Sequence, residues 1–214
     1  MKGDRSPGRF ARRSEGLWLR WSLGKGRGGS RSRVASREVT GSERHGHHAA
    51  LPRTVREHAM AAWQFKIEFI PRRWAERNAY DASLVQGEDG YDVADAWVGD
   101  QPREGFQHEL DGIIPRARAW HEDLLFWGST TGHDIQVGFE NRTVSYILLR
   151  VGLYDDFAPV LDRALPVAHR LDCVWFYPEH RTIEVPTRGG VRRAVTASSA
   201  ARFVDGERAR ARRP

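Results

Sequence analysis

Cysteine is almost absent from this chain. Cys173 stands alone among 214 residues, so no intrachain disulfide forms and a disulfide-stapled secreted scaffold is excluded. No apolar run approaches the ~20 residues that a membrane-spanning helix needs. The N-terminal "GLWLRWSLG" is too short and too interrupted by arginine for the core of a secretory signal, which runs to about 7–15 apolar residues. These absences point to a cytoplasmic setting, where the sequon Asn141-Arg142-Thr143 carries no meaning. The common catalytic signatures are missing too. "GSTTGH" has three residues between its glycines and no lysine, unlike a phosphate-cradling loop. Ser198 and Ser199 lie in no G-x-S-x-G turn and read as small residues that let a helix pack closely. Cys173 opens the apolar run "CVWFY", the setting of a packed, inert thiol. No cofactor is implied.

Methionine is scarce as well, and the second of the two divides the chain. Residues 1–59 hold 14 Lys/Arg against 5 Asp/Glu, a net +9; residues 60–206 hold 16 against 22, a net −6; residues 207–214 return +3. The basic balance of the whole chain therefore belongs to its ends, and the part with folding periodicity is acidic. Segment 1–59 is rich in Arg, Gly and Ser without sustained period, so it reads as disordered. Its composition also suits translated upstream sequence, with Met60 as the true start. Arg56-Glu57 is encodable by a ribosome-binding purine core, and His58-Ala59 would supply the spacer. Residues 60–206 read as one α+β domain and 207–214 as a basic, disordered tail.

Within 60–206, "WQFKIEF" alternates Trp63, Phe65, Ile67 and Phe69 against Gln64, Lys66 and Glu68, which predicts a half-buried strand. Phe106, Leu110, Ile113, Ile114, Ala117, Trp120, Leu124 and Leu125 recur at helical steps, with Pro115 expected to kink or split the helix. "HDIQVGFE" and "TVSYILLRV", joined by "ENR", predict a hairpin. A helix follows, capped by Asp155 or Asp156 with Pro159 in its first turn, and its buried stripe runs from Phe157 to Leu171. "CVWFY" and "RTIEVP" then read as strands, and Val191 to Phe203 as a last helix. The order predicts a ferredoxin-like βαββαβ sandwich with an additional C-terminal strand and helix.

The most distinctive stretch is "GEDGYDVADAWVGD", residues 87–100. It brings Glu88, Asp89, Asp92, Asp95 and Asp100 together with Tyr91 and Trp97 and contains no Lys or Arg. The spacing does not fit a calcium loop. Fixed negative charge speeds encounter with a basic partner, and exposed aromatics commonly anchor such contacts. The candidate partner-binding residues are therefore Glu88, Asp89, Tyr91, Asp92, Asp95 and Trp97. The competing reading is a solvated loop with its aromatics folded under. No metal set is expected, because "HGHH" at 45–48 lacks partners and His121, Glu122 and Asp123 diverge on a helix.

The strings "WQFKIEFIPRRWAERN", "GEDGYDVADAW", "WGSTTGHDIQV", "ILLRVGLYDD", "LDCVWFYPE" and "SSAARFV" resemble uncharacterised bacterial single-domain α+β proteins, and are similar in style to small immunity proteins encoded beside toxins. The resemblance lies wholly after Met60, and none of these strings is a catalytic motif, so it transfers no site residue. It implies a non-enzymatic binding module of the immunity type that meets a basic protein partner through 87–100. A small enzyme built on His133 and Asp134, with Glu140 or Asp155, is the alternative, so the balance falls against an enzyme without closing it. Nucleic-acid binding through the arginine-rich tails is a third reading, one the acidic folded part does not favour. No membrane contact is expected.

Overall fold

A computed structural model describes residues 62–87 and 90–213. The sequence expectations for 1–59, including the "HGHH" run and the basic arm, lie outside the described residues.

Strand β1 (Gln64–Pro71) leads into the single-turn helix α1 (Arg72–Arg77) and a 3-10 turn at Ala82–Val85. The two-residue strands β2 (Gln86–Gly87) and β3 (Gly90–Tyr91) form a small hairpin. Short helices α2 (Ala94–Trp97) and α3 (Gln107–Asp111) precede β4 (Arg116–Ala117), β5 (Leu124–Gly128), β6 (Asp134–Glu140) and β7 (Thr143–Gly152). Helix α4 (Ala158–Arg170), strands β8 (Cys173–Tyr177) and β9 (Thr182–Glu184), and helices α5 (Arg188–Ala197) and α6 (Ser199–Ala211) complete the chain. The architecture is α+β. Its main sheet has seven strands in the order β4-β5-β6-β7-β1-β8-β9, with every neighbouring pair antiparallel.

The sheet is larger than the sequence suggested, because the helix expected over 106–125 does not form. Only one turn, α3, develops. Ile113 and Ile114 are buried in the turn beyond it, and Pro115 then stops the helix. Arg116 and Ala117 pair with Trp127 and Phe126 instead, so two more strands extend the sheet at this edge. The apolar spacing was real, but turns and alternating strands satisfied it. The expected last helix is also two helices. Ser198 is fully buried at the corner, where its Oγ accepts from the Ala201 N–H and donates to the Val195 carbonyl. It is a cap and not a packing spacer. Helix α6 continues to Ala211, so the stretch read as a tail from 207 begins as helix.

Strand parity divides the sheet into two unlike faces. Phe65, Ile67, Leu149, Val151, Ile135, Val137 and Trp175 share one face and are all buried. Helix α4 packs on β8 and α6 on β1, with Val160, Leu161, Ala164, Val167 and Ala168 forming the buried stripe of α4. Pro159 sits in the first turn of α4, as the sequence predicts, but the cap position is Phe157 and no side chain caps it; Asp156, one residue earlier, accepts from the Ala158 N–H. The opposite face carries Gln64, Lys66, Glu68, Asp134, Gln136 and Arg150.

The β6–β7 hairpin closes on Asn141 (φ 51°) and Arg142 (φ 65°), the left-handed pair that a two-residue turn requires. A bulge follows. Phe139 pairs with Val144, but Gly138 pairs with Tyr146, so one extra residue enters β7. Gly138 is required there, because a Cβ would lie 2.0 Å from the Tyr146 ring. Gly138→Ala should cost about 1–3 kcal/mol by overpacking, read from urea denaturation. A cost below 0.5 kcal/mol, roughly the scatter of surface substitutions, would show that Tyr146 moves away freely.

Candidate functional site

The polar face of the sheet holds a connected cluster. Asp134 is fully buried at the start of β6, directly opposite Arg150 of β7. The guanidinium grips it as a fork, Nε to Oδ1 at 2.9 Å and Nη2 to Oδ2 at 2.9 Å. Gln136 donates to Oδ1 at 3.1 Å, and Gln64 donates to the Gly132 carbonyl at 2.9 Å while reaching Oδ2 at 3.5 Å. Burial pushes the Asp134 carboxyl above its usual range, and Arg150, Gln136 and Gln64 pull against it.

Four residues along β1 from Gln64 lies Glu68, only 2% exposed, beside Leu148 of β7 and Phe176 of β8. Its carboxyl shares a hydrogen bond with the Tyr91 hydroxyl, and its Oε2 is buried without a partner. Burial pushes this carboxyl up to about 8; the Tyr91 bond and Lys66 oppose the shift, and Asp92 adds to it. The Tyr91 ring meets Phe176 edge-on at 5.6 Å, so Tyr91 covers Glu68 from outside the sheet. Tyr146 is pushed up to about 12 by burial and by Glu68.

Tyr91 also fixes one end of the acidic segment. At the other end, the Gln101 amide donates to the carbonyls of Trp97 and Val144 and accepts from the Val144 N–H. Trp97 is 1% exposed. The expectation of exposed aromatic anchors is therefore corrected. Trp97 is core, and Tyr91 is half-buried and turned to Glu68, because each apolar ring gains more against the sheet than in water. Asp92 and Asp95 are exposed, Asp92 accepting from the Ala94 N–H, while Glu88 and Asp89 lie outside the described residues. Asp81 is exposed as well and accepts from the Ser83 N–H. Leu84 and Val98, on the same stretch, stand 56% and 73% exposed. Asp100 is paired with Arg77 and contributes no free charge.

The His133–Asp134 alternative does not assemble. Asp134 is occupied by Arg150, and the His133 Nδ1 accepts from the Gly152 N–H at 3.1 Å. Glu140 sits at the far end of β6, about 20 Å from Asp134 along an extended strand. Asp155 is exposed in the β7–α4 connection. Among the described residues no group of three His, Cys, Asp or Glu side chains is placed to hold a metal ion. Cys173 is buried, which pushes its thiol well up and keeps it unreactive. A surface depression of about 290 Å³ is rimmed by Arg73, Arg103 and Arg170, but Arg103 and Arg170 both pair with Glu109. In the C-terminal basic run, Arg208 donates to the carbonyls of Leu153 and Tyr154 and Arg210 pairs with Glu207.

Sequence reasoning missed Glu68, Arg150 and Tyr146. Glu68 and Gln64 fell on the side of β1 assigned to solvent, yet both are buried. The one available signal was a single Arg in "YILLRVG" facing a single Asp in "HDIQVGF" across an expected hairpin. Comparison with known proteins finds no matching family, no matching curated protein and no matching solved structure. Among the described residues no helix is long and apolar enough to cross a membrane.

Proposed function

We propose that this chain is a non-enzymatic binding module that engages a basic protein partner through the acidic segment, in the manner of an immunity protein in the bacterial cytoplasm. The observation that carries the reading is the surface of that segment. Asp81, Asp92 and Asp95 are exposed, as are Leu84 and Val98, all on one stretch with no Lys or Arg from 78 to 102. Carboxylates free of ion pairs steer a cationic partner, and the two aliphatic side chains offer apolar contact once it arrives. Tyr91 and Gln101 tie the described part of the segment, residues 91–101, to the sheet. The antiparallel series β8-β1-β7-β6 has the strand order of a ferredoxin-like core, and we read the fold as that core with β4, β5 and β9 added at its edges.

Co-expression with the products of flanking genes tests the proposal. One of them should co-purify with the wild-type chain. The double charge reversal Asp92→Lys/Asp95→Lys should weaken that complex about 100-fold or more, since like charges across an interface cost several kcal/mol. If no neighbouring product binds, or if the complex survives charge reversal unchanged, the reading is wrong.

A further inference from the structure

We infer that the Glu68–Tyr91 contact is a proton-operated latch that holds the β2–β3 hairpin, and with it the acidic segment, against the sheet. The consequence for partner binding rests on the function proposed above; the latch itself does not. The geometry is that of a carboxyl sealed under a small, weakly attached cover. Glu68 is 2% exposed on β1, an inner strand of the sheet, one of its oxygens has no partner, and the residue above it is Tyr91. The hairpin that carries Tyr91 has two residue pairs, Gln86 with Tyr91 and Gly87 with Gly90, supported by the Asp92 N–H bond to the Val85 carbonyl and the Gln86 amide bond to the Gly90 carbonyl, and flanked by buried Val85 and Val93.

A neutral carboxyl tolerates that pocket, whereas an ionised one must be paired or hydrated. The groups facing it are few. β1 supplies Lys66, the hairpin side supplies Tyr91 and Asp92, β7 supplies Tyr146 and Arg150, and β8 supplies the apolar Phe176. Arg150 is already held by Asp134. The helices packed on β1 turn only apolar side chains inward: Trp74 and Ala75 of α1, Ala96 and Trp97 of α2, Ala200 and Val204 of α6. Hydration is therefore the route open to the anion. Lifting a two-pair hairpin costs less than parting a seven-stranded sheet, so the hairpin opens. The closed form keeps its proton up to about pH 8, while the open form loses it near the ordinary value of 4.5, so opening becomes easier throughout that interval. Asp92 couples the latch to the acidic surface. A cationic partner that neutralises Asp92 removes one of the charges that keep Glu68 protonated.

Hydrogen exchange of the full chain, with no partner present, tests the latch. After correction for the intrinsic base-catalysed rate, protection at the amides of residues 85–87 and 90–92 should fall by up to about tenfold per pH unit from pH 5 to 8 and then level off. In Glu68→Gln the protection should be independent of pH. Asp92→Asn, which retains the cap to Ala94, should move the levelling point to lower pH. Tyr91→Phe, which keeps the ring against Phe176, should move it to higher pH. A flat wild-type profile overturns the latch, as does a slope that persists in Glu68→Gln. If Glu68→Gln fails to fold, opposite shifts in the other two variants support the latch, and no shift in either rejects it. Central amides of β6 and β7 exchanging at the same rate as the hairpin would also reject it, since opening would then be global.

Discussion

Removing the Arg150 guanidinium should destabilise the fold by about 3–5 kcal/mol, the usual cost of leaving a buried charge without its partner. Asp134 is fully buried, and Arg150 supplies its only full positive charge at hydrogen-bond distance among the described residues. In Arg150→Met the carboxylate keeps the amides of Gln136 and Gln64, which do not neutralise it. Asp134→Leu should cost less, because the Arg150 side chain is 19% exposed and can turn its charge to water. The double variant Asp134→Leu/Arg150→Met should recover most of the loss, since replacing both members of a buried pair with apolar groups is often close to neutral. Gln64 retains the Gly132 carbonyl in that variant, so no new orphan amide arises there. Urea denaturation of the four proteins gives the coupling energy. A value under about 0.5 kcal/mol, the limit of additivity for independent sites, would mean that the pair is not embedded as described.

This pair also shows what the sequence could and could not reveal. Alternation in "WQFKIEF", the apolar run "CVWFY" and the turn "ENR" identified β1, β8 and the β6–β7 hairpin, because each depends on local pattern or turn chemistry. The Asp134–Arg150 register does not. Counting back from Glu140 opposite Thr143 places Leu149 across from Asp134, and only the bulge at Gly138 shifts Arg150 into that position. A bulge is one residue of slip, set by the Tyr146 ring lying over Gly138, and no local pattern marks it. Glu68 was obscured for a related reason. Its strand alternates correctly, but burial of its polar side depends on Tyr91, twenty-three positions away, folding across Phe176. The acidic segment illustrates the same limit from the other direction. Its charge was legible, whereas the inward turn of Trp97 and Tyr91 depends on a sheet surface that the segment itself does not encode. Residues 106–125 failed because three- and four-residue spacing also fits a turn followed by strands, and Pro115 decides between them.

Glu68→Gln should reverse the order of stability of wild type and variant as the pH rises. At pH values below the ordinary carboxyl value of 4.5, folded and unfolded wild type both hold the proton, and the favourable burial of a neutral Glu68 is fully present. Between 4.5 and about 8 the unfolded chain has lost that proton and the folded chain keeps it. Stability therefore falls with rising pH at up to about 1.4 kcal/mol per unit across this window, and levels above it. Asp134 is shifted in the same direction and adds its own slope, but it does so in both proteins, so the difference between them isolates Glu68. Glu109 and Asp81 are shifted downward and act only at more acidic pH, below the window. At pH 5 the variant should be equal to wild type or less stable by about 1 kcal/mol, because its amide NH₂ takes the place of an oxygen that already lacks a partner. At pH 8 it should be more stable by roughly 3–4 kcal/mol, the accumulated ionisation penalty less that same cost. Urea midpoints measured at half-unit steps from pH 5 to 9 would show the two curves crossing. Parallel curves would mean that Glu68 ionises in the folded protein as freely as in the unfolded one, which a carboxyl sealed beneath Tyr91 with one unpartnered oxygen does not permit.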